Sequence, residues 1–237
     1  MRMAFLIMSL AALVLGGFQP DKSQETAAVS SKKGDELLIE RILAGEAAAI
    51  EEAGRSGNRL FVSYLRRELK DRRNDGEPVR RARIALARLG ETDELQEVWC
   101  RAITDDPKRG LENPIFELEQ VGGWFAIQGL EKLLTPEGVV HWHKLSAREK
   151  SSDVATEPLN LRALKTLPKV IPNPPVAYST PIEQFKAQTH TQEEIKTWQD
   201  WIAAHRDELS RLQPTGEGVD FSDKACKNGK PTKKHRD

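Results

Sequence analysis

The sequence predicts an all-α protein, a short right-handed stack of antiparallel helical hairpins that ends in a proline-rich strap and a C-terminal capping helix. Apolar residues between Leu38 and Leu133 recur three and four apart, the period of half-buried helices rather than strands. Glycine and proline interrupt these stripes at intervals that suit short helices and turns. The stripes also repeat. Phe61, Tyr64, Leu65 and Leu69 return as Leu95, Val98, Trp99 and Ile103, and Ala82, Leu86 and Leu89 return as Ala126, Leu130 and Leu133.

The first residues follow another logic. Arg2 precedes an uncharged apolar run over 4–17, the layout of a secretory signal over 1–20 with cleavage between 17 and 28. A membrane-spanning helix needs about twenty apolar residues, so no stable span is expected. Residues 21–34 are polar and read as a flexible lead-in. Helical patterning starts at Asp35: Leu38, Ile39, Ile42 and Leu43 form one face, Gly45 interrupts, and Ala48, Ala49, Ile50 and Ala53 complete a hairpin before the "GRSGN" turn.

The second hairpin pairs residues 58–70 with "EPVRRARIALARLG", 77–90. Pro78 sits where a helix loses nothing by its missing N–H, and Gly90 stops the helix. Asp93 reads as the cap of the next helix, with Gln96 three residues on. A helical turn at "NPIFELEQV" and a helix from Trp124 to Leu134 complete a third hairpin, whose longer internal connection reads as an insertion at one edge of the stack.

Pro78, Val79, Arg80, Ala82, Leu86, Leu89 and Gly90 together resemble the second helix of a HEAT-type repeat. The resemblance covers residues 35–134 and implies an α-solenoid that works by shape and surface, with no shared catalytic residues. The unit at 58–90 fits best, and in the next copy Gly122, Gly123 and Trp124 replace the Pro-Val-Arg start.

Beyond the repeats, residues 135–181 read as an irregular proline-rich strap with a short helix at Leu161, Leu164 and Leu167, ended by prolines at 168, 172, 174 and 175. Residues 182–213 read as C-terminal helices. Thr180-Pro181-Ile182-Glu183 and Thr191-Gln192-Glu193-Glu194 both look like capping boxes, and Ile195, Trp198, Ile202, His205, Leu209 and Leu212 form one apolar seam. Residues 214–237 offer little to bury besides Val219 and Phe221, so a disordered basic tail is expected.

Lys plus Arg and Asp plus Glu are both 36, so no net field points to nucleic acid. Locally, arginines crowd residues 66–88, and Arg66, Arg67, Arg80, Arg81 and Arg83 are the candidate binding residues for an anionic partner. Trp201 is a second candidate, for stacking on a ring or receiving a peptide, while Trp198 is expected to be buried. Cys100 and Cys226 are a possible disulfide in an exported chain. "HWH", residues 141–143, lacks further His or Cys at ligand spacing, so no metal and no cofactor are assigned.

No nucleophile elbow, zinc-protease helix or phosphate loop is present. The reading is an exported, non-catalytic scaffold, periplasmic or secreted, that binds a protein or cell-envelope component. The alternatives are a hydrolase with its site in 135–190 and an envelope protein for anionic glycan.

Overall fold

The computed structural model describes residues 22–71, 77–103, 115–134, 159–172, 174, 188–227 and 230–232. The readings of 1–20 as a signal, of "HWH" and of the Thr180 helix start lie outside these residues, as does most of 135–181. The chain divides into two compact units, Met1–Leu38 and Ile39–Asp237. The described residues are mostly helical, as the period of the apolar stripes requires.

Helix α1 spans Lys22–Leu43, so the lead-in expected to be flexible is helical from Lys22. Its Glu, Ala and Lys residues favour helix and no proline interrupts them, which thin apolar content concealed. α1 ends at Gly45 with φ 75°, where Gly45 N–H reaches Ile42 O (2.8 Å) and Glu46 N–H reaches Arg41 O (3.1 Å), the paired bonds of a glycine-terminated helix. α2 (Ala47–Arg55) follows, then a 3-10 turn at Arg59–Phe61 and α3 (Val62–Asp71). Phe61 and Leu65 are buried as the stripe requires, but Tyr64 and Leu69 are half-buried and Glu68 takes a buried place.

α4 (Glu77–Arg88) is the hub, packed against α2, α3, α5 (Thr92–Ile103) and α6 (Phe116–Val121). Ala82 to Ala87 are all buried, so the helix has no broad wet face. α5 opens two residues earlier than the sequence suggests: Glu91, not Asp93, stands at the cap, and its carbonyl accepts the Leu95 N–H (3.0 Å). α7 (Gly123–Leu133) packs on α6 and on α8 (Leu159–Val170). Pro168 lies inside α8 rather than ending it. In the last turn it forfeits the one N–H that would reach residue 164, a loss that burial of Leu164, Leu167 and Ile171 offsets.

α9 (Gln188–Ala204) starts before Thr191, which is therefore inside the helix and not its cap. The expected continuous seam bends: His205 leaves helical geometry (φ −108°, ψ 14°) and α10 (Arg206–Leu209) resumes beyond it. Trp198, Ile202 and Leu209 are buried, while Ile195 and Leu212 pack at the margin.

Residues 214–227 and 230–232 correct the expectation of a disordered tail. The chain turns through a cis Gln213–Pro214 bond, runs past α7 and α5, makes a 3-10 turn at Asp223–Ala225 and ends in a two-stranded antiparallel ribbon, β1 (Cys226–Lys227) with β2 (Lys230–Pro231). Phe221 sets its ring edge-on to Trp99 (5.2 Å) and beside Phe125 (5.7 Å). One aromatic anchor and backbone pairing hold what low apolar content alone would not.

Candidate functional site

The candidate arginines do not form one patch. α4 sends them in three directions. Arg81 pairs with Glu77 on its own helix (2.9 Å) and with Glu51 of α2. Arg80 pairs with Glu77 and lays its guanidinium over the Phe116 ring of α6, 5.2 Å from the centroid. Arg83, only 5% exposed, pairs with Glu97 of α5 at 2.9 Å. Further along, Arg88 Nε donates to the Gln120 carbonyl (2.7 Å). Long stems on a surrounded helix reach the next helix and satisfy its acids and carbonyls.

Arg66 and Arg67 lie elsewhere, on the exposed side of α3. Arg66 and Arg59 converge on the two carboxylate oxygens of buried Glu91, and Arg59 also donates to the Leu89 carbonyl (3.0 Å). Glu94, in the first turn of α5, is buried as well, and burial holds its carboxyl above the ordinary glutamate range against the opposing pull of its own backbone N–H and Arg66. Burial also lowers Arg88, with Arg55 adding repulsion, whereas the hydrogen bond that Arg41 donates to Glu46 raises Arg41.

What this leaves on the surface is a stripe. Arg59, Leu60, Ser63, Arg66, Arg67 and Lys70 are all exposed and spaced three and four apart along the 3-10 turn and α3. Leu60 is 49% exposed among these cations. The opposite side of this segment, with Phe61 of the 3-10 turn and Leu65 of α3, is packed on the body of the fold. The sequence reading singled out Arg66 and Arg67 but missed Arg59 and Leu60, although both fall on the same helical spacing.

Trp201 is half-buried and Trp198 is 2% exposed. The Trp201 ring stacks on His205 (4.2 Å, 21° between planes) and meets the edge of Trp198 at 6.3 Å. His205 Nδ1 lies 2.9 Å from the Trp201 carbonyl, and because a carbonyl only accepts, Nδ1 carries the proton. Arg206 covers the Trp124 ring (5.4 Å) and pairs with Glu131 (3.1 Å). His205 thus already occupies one face of Trp201.

Cys100 and Cys226 are joined, with sulfurs 2.06 Å apart. No cluster of three or more His, Cys, Asp or Glu suited to a metal ion occurs among the described residues. No described helix is long and apolar enough to cross a membrane. Set against family models, curated proteins and solved structures, the chain matches none.

Proposed function

We propose that the protein is an exported, non-catalytic helical scaffold of HEAT-like stacked hairpins that binds a protein or envelope component through the outer face of α3. The observation that carries this reading is the stripe Arg59, Leu60, Ser63, Arg66, Arg67 and Lys70, an exposed leucine set among cations on a helix whose other side is buried. An acidic, partly apolar segment fits such a face, with cations steering it and Leu60 offering contact area. Stacking is supported by ties between neighbouring helices: Glu51 of α2 to Arg81 of α4, Arg83 of α4 to Glu97 of α5, and Arg101 of α5 to Glu117 of α6. Export is supported by the basic and apolar start and by a joined cysteine pair, which oxidising compartments favour.

A photo-crosslinking residue at Ser63, used in cells that make the protein, tests the reading. A discrete adduct in the envelope fraction, lost when Arg67 and Lys70 are both changed to Glu, is expected. Absence of any adduct from Ser63, or an adduct indifferent to the two reversals, overturns it. Nuclease-resistant, glycosidase-sensitive material in the adduct would assign the partner to anionic glycan instead of protein.

A further inference from the structure

The C-terminal strap, residues 212–227 and 230–232, lies on the body like a bound peptide. Gly122 and Gly123 open α7 without a side chain to cap it, and the strap supplies the acceptors: Trp124 N–H donates to Leu212 O (3.1 Å) and Phe125 N–H to Pro214 O (3.0 Å). Approach is close enough that a Cβ on Gly123, which has φ 67°, would fall 2.4 Å from Gln213 O. Downstream, Gln96 clamps Asp220 and Phe221 sits on Trp99 and Phe125. One covalent bond, Cys100–Cys226, closes the far end.

That bond is asymmetric. Cys100 lies in α5 with no exposure, whereas Cys226 lies in the strap and is partly accessible. A thiolate arriving from solvent therefore meets Cys226 Sγ first, and Cys100 is the leaving sulfur. Gln96 Nε2 stands 3.6 Å from Cys100 Sγ while it also donates to Asp220 O (2.9 Å), so the amide that clamps the strap faces the anion that departs.

We propose that Cys100–Cys226 is a reducible latch and the strap its moving element, opened by an exported protein dithiol. In the first step a thiolate of that dithiol bonds to Cys226 Sγ, the Cys100–Cys226 bond breaks, and Cys100 leaves as a thiolate that takes up a proton. In the second step the reductant's other thiol attacks the mixed disulfide and releases Cys226 as a thiol, and the reductant ends as a disulfide, two electrons having passed to the chain. With the covalent tie gone, the strap opens as a local unit and bares Trp99 and Phe125, while α2, α3 and α4, which pack chiefly on one another, keep their packing. The latch would work whatever α3 binds.

Two measurements on the full chain test this. In the first, a thioredoxin with its resolving cysteine changed to Ser is offered to the folded oxidised protein and the trapped adduct is mapped. A mixed disulfide on Cys226 is expected; one on Cys100, or none while the chain stays folded, overturns the proposal. In the second, amide exchange is compared before and after reduction. Exchange at Asp220, Trp124 and Phe125 should rise about tenfold or more, with Ile50 and Leu86 unchanged. Unchanged exchange at all of these positions, or equal loss at all of them, overturns it. Cys226→Ser should show the open pattern without reductant, and if that variant fails to fold, the reduced natural chain carries the comparison.

Discussion

The side-chain amide of Gln96 grips the backbone of Asp220 at both ends, donating from Nε2 to the carbonyl (2.9 Å) and accepting the amide N–H on Oε1 (2.8 Å). It pairs the strap with α5 much as a neighbouring strand would, and Gln96 is itself 2% exposed. Gln96→Ala should therefore leave two backbone groups without partners and cost about 1–3 kcal/mol. Gln96→Glu keeps the acceptor, loses the donor and adds a buried charge, so it should be no milder. Urea unfolding without reductant measures both; midpoints equal to that of the natural protein would show that water replaces the clamp at no cost.

The same relationship marks how far the sequence could be read. Repeated short-range spacing encodes burial on one side of a helix, so Ile50, Phe61, Leu65, Leu86, Leu95, Val98 and Leu130 were legible as core, and Gly45 and Gly90 as stops. The strap was not legible, because Gln96 and Asp220 lie far apart in sequence and a single glutamine within an apolar stripe says nothing about which backbone it will meet. Nor was the fate of the arginines. Composition shows that Arg80, Arg81 and Arg83 are charged and close in sequence, but only the placement of α2, α5 and α6 around α4 sends them to different partners.

Arg59 and Arg66 share Glu91, whose side chain is buried while both arginines are well exposed. Either arginine changed alone to Ala should cost less than about 1 kcal/mol, because the remaining partner still meets the carboxylate and exposed pairs are screened. The double change leaves Glu91 buried without its cations and should cost clearly more than the two single effects together. A double-mutant cycle by chemical denaturation checks this. Simple additivity would mean that the two contacts act independently.

Glu94 supplies a pH dependence. Its folded pKa is raised, chiefly by burial, so the folded chain holds this proton more tightly than the unfolded chain does. Its contribution to stability is full below the ordinary glutamate range and falls as pH rises through the raised folded value. Glu94→Gln should remove that slope, gaining stability over the natural protein near neutrality and converging with it in acid. Unfolding free energies measured across the mildly acidic range decide the matter, and an unchanged slope would mean that Glu94 does not titrate differently in the fold.

Reversing Arg80, Arg81 and Arg83 to Glu together should unfold the protein rather than disarm a binding surface. Each reversal places a carboxylate against Glu77, Glu51 or Glu97, and Arg83→Glu does so at a buried position. Loss of helical signal by circular dichroism, with aggregation on size exclusion, is expected. A folded variant that merely loses retention on heparin would restore these three side chains as a binding patch.

Gly54 sits within α2 where that helix crosses α4, and a Cβ there would come 2.6 Å from the Ala85 Cα and 2.8 Å from its Cβ. Helix propensity alone favours Gly54→Ala by about 1 kcal/mol. Packing opposes it, because both short contacts are to parts of α4 that cannot rotate away, so the two helices must separate along a crossing that also carries the Glu51–Arg81 pair. Overpacking of this kind costs about 1–3 kcal/mol, which outweighs the propensity gain, and thermal unfolding should show a lower midpoint. Gly34→Ala in α1, where nothing lies within 4 Å of the added carbon, isolates the propensity effect and should not lower the midpoint. If Gly54→Ala behaved like Gly34→Ala, α2 and α4 would not cross as closely as the packing of the hub requires.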